Sequence, residues 1–336
     1  MTSRVPLSVL DLVPVSQGMS RTDAFVASRE LAKLADSLGY QRYWVAEHHG
    51  SDTFMASATS LVLGDLATRT TGIRLGSGGV MLPNHAPLMV AEYYGTLATM
   101  YGDRFDLGLG RAPGTDPMTA AALRRNHGEL DTFARDVLDL QHYLGEGHAS
   151  GVRAVPGEGT DVPMWMLGSS TGGAQVAAAL GLPFSFASHF APQQMEQAIA
   201  LYRSAFRADA PTAQVERPTV MAGANVLIAD THEEAVREFT TSQLMRVRIR
   251  TGQLAPLDPP ADRIEDVIPT EALDLAGRPD GPATFVGTAE EVTEGLTGFV
   301  ERHGLDEVIV ATYTFEPKVR QASYAALARA WGLTGR

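Results

Sequence analysis

Four short runs hold residue types and spacings that could do chemistry. Glu47-His48-His49 sets a carboxyl beside two imidazoles. Neighbouring strand residues point to opposite faces, so His48 and His49 are poorly placed to share one ion, and no metal-ligand set is read. General acid–base work or a cofactor contact is the better reading, with His48 the catalytic candidate. His49 should tolerate replacement better if it points toward the helical shell. Gly78-Gly79 lies inside an apolar run, where glycine weakens a strand. The pair is either a bulge, a strained peptide, or bare backbone that a flat ligand can approach.

The other two runs suit an anion. Arg111, in Gly110-Arg111-Ala112-Pro113-Gly114, offers a fixed guanidinium for a phosphate, or for a surface ion pair. The run Gly168-Ser169-Ser170-Thr171-Gly172-Gly173 opens a helix. Free N–H groups, the helix dipole and the hydroxyls make a phosphate cradle there, unless the serines serve only as caps. The same run matches G-x-S-x-G, the nucleophile elbow of a serine hydrolase, but no His-Gly-Gly oxyanion segment precedes it. His127, His142, His148, His232 and His303 sit in polar or helical contexts and read as surface residues.

The elements that must position these residues alternate regularly. Strands are predicted at 7–13, 42–47, 73–82, 105–110, 162–167, 184–187, 220–228 and 307–311. Helices are predicted at 22–38, 56–70, 87–100, 132–144, 173–180, 194–206, 233–248, 290–303 and 319–331. Eight strand–helix units and near-continuous apolar strands point to an α/β fold, a (β/α)8 TIM barrel in one domain over 1–336. An open doubly wound sheet is the rival, but the turn Pro14-Val15-Ser16-Gln17-Gly18 lacks the glycine fingerprint. In a barrel, all four runs fall at the C-terminal rim, where active sites lie. Residues 252–283 break the rhythm with six prolines. An insertion of that length near the mouth is expected to close as a lid or to shield helices.

Composition narrows the classes further. The chain has 336 residues, 27 Lys+Arg, 39 Asp+Glu, a net charge of −12 and no cysteine. Thiolate metal sites, iron–sulfur clusters and a cysteine nucleophile are excluded. The acidic balance argues against nucleic acid as a partner, because phosphate neutralisation needs clustered Lys/Arg. No stretch approaches the ~20 apolar residues that span a bilayer, and the first residues lack a signal pattern, so no membrane association and a cytoplasmic location are expected.

Several longer segments carry a family resemblance. They are Leu7-Ser8-Val9-Leu10-Asp11-Leu12-Val13-Pro14-Val15, Arg42-Tyr43-Trp44-Val45-Ala46-Glu47-His48-His49, the run from Gly76 to His85, the run from Asp106 to Pro117, Leu167-Gly168-Ser169-Ser170, Phe186-Ala187-Ser188-His189-Phe190 and Val286-Gly287-Thr288. In this order they resemble the bacterial luciferase-like flavin-dependent monooxygenases, in the single-chain luciferase family oxidoreductase branch. The resemblance implies a barrel binding FMN, with a non-proline cis peptide at Gly78–Gly79 behind the flavin ring. It further implies a phosphate held by Arg111 and Ser170, with Ser169 and Thr171 beside them, and a catalytic His48. It implies oxygenation of a small organic substrate by reduced FMN and O2 through a flavin hydroperoxide, a separate NAD(P)H:flavin reductase and a homodimer. The luciferase's reactive cysteine is replaced by Gly110. A deazaflavin-dependent hydride-transfer oxidoreductase is the alternative on the same fold. A non-enzymatic flavin-binding protein and a serine hydrolase are remoter ones.

Overall fold

A computed structural model describes residues 4–112, 115–123, 132–145 and 150–335. Pro113, Gly114, His127 and His148 lie outside the described residues.

The strands are β1 (Leu7–Asp11), β2 (Arg42–Val45), β3 (Arg74–Ser77), β4 (Val80–Met81), β5 (Phe105–Gly110), β6 (Met164–Gly168), β7 (Phe184–Phe186), β8 (Val220–Ile228), β9 (Thr284–Gly287) and β10 (Glu307–Ala311). All their pairings are parallel, and β10 pairs with both β1 and β8, which closes an eight-stranded barrel. Helices α1 (Arg21–Leu38), α2 (Thr59–Ala67), α3 (Pro87–Tyr101), α4 (Pro117–Ala122), α5 (Phe133–Leu144), α6 (Thr171–Leu180), α7 (Met195–Ala205), α8 (His232–Thr251), α9 (Leu273–Ala276), α10 (Ala289–His303) and α11 (Pro317–Trp331) complete the chain.

The expected single strand over 73–82 is two pieces. Leu75 pairs with Phe105, whereas Val80 pairs with Leu109, so the third barrel strand carries one residue more than its neighbour. That is a bulge, and the Gly78–Gly79 peptide inside it is cis. Backbone contact explains why glycine stands here: a Cβ on Gly79 would lie 2.7 Å from the Gly108 carbonyl oxygen. The strand β9 was not anticipated. It pairs only with β8, outside the closed ring.

Strand alternation divides the core in two. Leu7, Val9, Tyr43, Val45, Val308 and Val310 face the helices. Leu10, Trp44, Trp165, Met221, Ile309 and Tyr313 fill the barrel. Both faces are buried, which is why these strands read as unbroken apolar runs. The lower end of the barrel is ionic. Asp106 accepts from Arg42 at 2.7 Å, Arg74 at 2.9 Å and the Trp44 indole at 3.2 Å, while Glu307 accepts from Arg42 and Ser8. Trp44 and Trp165 meet edge-on above this layer, with the Arg42 guanidinium over Trp165. The interior is therefore a plugged core whose open end is the C-terminal rim.

Residues 252–283 are neither a strand–helix unit nor an irregular loop. They contain two 3-10 turns and α9. Ile264, Ile268, Ala272 and Ala276 pack with Val247 of α8 as a small core of their own. Leu257 exchanges backbone hydrogen bonds with Val15 and Gln17, so the segment also lies along the loop after β1.

Candidate active site

The rim residue with the most partners is Glu47, just beyond β2. Its Oε1 lies 2.7 Å from His49 Nε2 and 2.9 Å from His85 Nε2. Oε2 accepts the Met81 amide at 3.1 Å, and the Asn84 amide reaches Oε1 at 3.3 Å. Burial by itself would raise this carboxyl. The hydrogen bonds of His49 and His85, the charge of His85 and the Met81 amide outweigh it and hold the group at about 2. His49 thus does not turn to the helical shell as considered from strand alternation, because the chain leaves β2 at Val45 and the alternation no longer applies.

One carboxylate and two imidazoles are also a metal donor set, and their ligand atoms all lie within 4.8 Å of one another. Metal–ligand bonds of ~2.0–2.2 Å would hold such atoms ~3.3 Å apart around an ion. The 2.7 and 2.9 Å separations are those of direct hydrogen bonds.

His48 turns away from this hub. Its ring meets Phe54 edge-on at 5.2 Å, and Phe54 meets Tyr313 at 6.0 Å. Burial draws the His48 imidazole down to about 4 against the opposing pull of Glu47, so it is neutral at pH 7. Its Nδ1 is buried without a hydrogen-bond partner. His189, just beyond β7, is drawn to about 4 by burial, by Arg246 and by His48, and its Nδ1 is likewise unpartnered.

Arg111 and the opening of α6 come together. A Cβ on Gly172 would lie 3.1 Å from Arg111 Nη2, so the guanidinium rests against the first turn of that helix. Ser170 occupies the N-cap position with extended backbone, but its side chain makes no capping bond. Ser169 is exposed, and Ser170 and Thr171 are half-buried. The guanidinium against Gly172 and the Ser170 hydroxyl without a capping bond bring backbone N–H groups, hydroxyl and guanidinium to one helix start, a combination that suits a phosphate. Gly78–Gly79 and His48 are separate stations on the same rim, at the ends of the third and second barrel strands. Of the histidines read as surface groups, His142 and His232 are exposed and His303 is half-buried against Phe299.

Residues 6–307 match the family model described as luciferase-like monooxygenase. The chain belongs to the luciferase-like monooxygenase family. This luciferase-like monooxygenase is 43% identical over 323 residues to an Escherichia coli K12 protein named luciferase-like monooxygenase, with 95% of each chain covered. It is 31% identical over 335 residues to the N-acetyl-S-alkylcysteine monooxygenase of Bacillus subtilis, covering 97% of this chain and 98% of that one. The crystal structure of apo-MsnO8 superposes with a TM-score of 0.91 at 34% identity, over 99% of this chain and 100% of that chain. By class the protein is a flavin-dependent monooxygenase. No helix among the described residues is long and apolar enough to cross a membrane.

Two groups of this luciferase-like monooxygenase carry no signal in the sequence. His85 stands there only as part of a run, and its pairing with Glu47 joins residues 38 apart. Arg246 is an arginine within a helix, and nothing local tells where its side chain points.

Proposed function

We propose that this monooxygenase binds FMN and uses reduced FMN and O2 to oxygenate a small organic substrate. A separate NAD(P)H:flavin reductase supplies the reduced flavin. The observation that carries the reading is the Arg111 guanidinium set against the first turn of α6, beside an uncommitted Ser170 hydroxyl. Arg111, Ser169, Ser170 and Thr171 hold the phosphate, and Gly78–Gly79 offers side-chain-free backbone to the ring.

When bound, reduced FMN activates dioxygen so that one oxygen atom passes to the substrate and the other leaves as water. The chain's own residues do the rest. His48 is neutral at pH 7 and has a free Nδ1, so it accepts or returns a proton at that atom. Phe54, Tyr313, Trp44 and Trp165 line a dry floor. The 252–283 segment, docked along the loop after β1, acts as the cover that limits water entry. We further propose a homodimer through α2 and α3, where Leu61, Met89 and Tyr93 are exposed.

Reconstitution tests the whole reading. The protein is loaded with FMN, and the bound cofactor is identified by absorbance and mass, which separates FMN from a deazaflavin. Oxygen consumption is then followed with a flavin reductase and a panel of small organics that begins with N-acetyl-S-alkylcysteines. Charge-assisted contacts contribute ~1.5–3 kcal/mol each, so Arg111→Ala should weaken FMN binding roughly tenfold or more. Unchanged affinity at low salt removes Arg111 from the site.

A further inference from the structure

Among the described residues, α8 carries an enclosed cation with no ion-pair partner. Arg246 of α8 holds its guanidinium 5.1 Å from the Phe239 ring centroid, beside Gly277, where a Cβ would come within 2.7 Å of Nη1. Its Nη2 is shut off from solvent and has no hydrogen-bond partner. Four other enclosed arginines face carboxylates, Arg42 with Asp106 and Glu307, Arg74 with Asp106, Arg248 with Asp258 and Arg320 with Asp11, although Nε and Nη2 of Arg320 also lack a hydrogen-bond partner; Arg104 is satisfied by Thr70 and backbone carbonyls. A guanidinium taken out of water with a nitrogen unsatisfied is costly unless something completes it.

The groups around Arg246 indicate what completes it. Its charge acts on His189 and on the Tyr313 phenol, and His189 in turn interacts with His48. His189 Nδ1 and His48 Nδ1 are also buried and unpartnered. The Arg246 nitrogen can only donate, so what satisfies it must bring an oxygen acceptor and negative charge, whereas each neutral imidazole Nδ1 can take either role. The Arg111 cradle stands at the ends of β5 and β6, whereas Arg246 belongs to the helix after β8, further round the ring.

We propose that Arg246 is the recognition group for a carboxylate on the organic substrate, so that the enzyme acts on small organic acids in preference to neutral compounds. This rests on the monooxygenase reading above. A carboxylate meets a guanidinium through two parallel N–H···O bonds, and the Tyr313 phenol, which interacts electrostatically with Arg246, is a further donor.

The test compares binding of n-alkanoates from butanoate to octanoate with that of their primary amides. Titration calorimetry is run on the flavin-free and the FMN-loaded protein, with FMN binding read separately by absorbance. The wild type should bind at least one acid tenfold or more tighter than its amide. Arg246→Met should lose that preference, with the acid weakened roughly tenfold to a hundredfold, while FMN affinity stays within threefold. Arg246→Lys, which keeps the charge and the packed stem, should keep part of the preference and guards against a folding defect in the methionine variant. Acids and amides binding alike in the wild type would overturn the proposal. So would a methionine variant that loses FMN but keeps the acid preference, which would assign the guanidinium to the cofactor. Failure of FMN binding in the wild type would sink the monooxygenase reading and leave the acid preference measurable.

Discussion

Replacing Glu47 with glutamine tests whether the rim is organised by one buried carboxylate. The side chain is almost fully enclosed and takes its hydrogen bonds from two imidazoles, a backbone amide and the Asn84 amide. Its carboxyl is held at about 2 rather than 4.5. At ~1.36 kcal/mol per pH unit, that difference is worth about 3 kcal/mol of stability. The folded value is depressed, so the contribution is complete above pH 4.5 and fades as the pH falls through about 2. By pH 3 about 2 kcal/mol of it should be gone. Glu47→Gln cannot ionise, and its amide N–H2 faces donors. It should therefore be about 2–4 kcal/mol less stable than wild type at pH 7, and that deficit should narrow steadily toward pH 3. Urea unfolding at pH 7, 5, 4 and 3, followed by tryptophan fluorescence and far-UV circular dichroism, reads both quantities. A deficit below about 0.5 kcal/mol at pH 7, or one that stays constant with pH, would refute the hub.

The remaining expectations are more local. His48→Ala should bind FMN nearly as wild type does but lose turnover by ~10²–10⁴-fold; lost binding with intact chemistry would reverse the assignment. Asp106→Asn leaves Arg42 and Arg74 without full compensation inside the barrel and should cost ~3–5 kcal/mol in denaturant unfolding, whereas a loss under about 1 kcal/mol would show the ionic layer to be dispensable. Gly79→Ala drives a methyl into the Gly108 carbonyl and should cost ~1–3 kcal/mol, with a thermal midpoint equal to wild type counting against the close approach. Limited proteolysis should cut 252–283 more slowly once FMN is bound; equal rates in both states would argue against a cover.

Much of the architecture was legible in the chain because it is written in local periodicity. Buried parallel strands such as Val220–Ile228 and Glu307–Ala311 are apolar on both faces, and helical stretches recur between the strands, which specifies the alternating architecture. The proposed anion cradle rests on local signals of the same kind, a serine-rich helix start and an arginine at a strand end, which the fold sets against each other. Tertiary structure alone decided three things. The one-residue slip at Gly78–Gly79 depends on pairing with β5, and no single strand encodes its partner's register. The docking of 252–283 depends on Leu257 meeting Val15, some 240 residues earlier, and on a small core shared with α8. The Glu47–His49–His85 hub and the unpaired Arg246 depend on which side chains meet across the rim. Periodicity states that a face is buried; only closure of the barrel determines which distant groups it is buried against, and therefore which carboxylate is satisfied and which cation is left waiting.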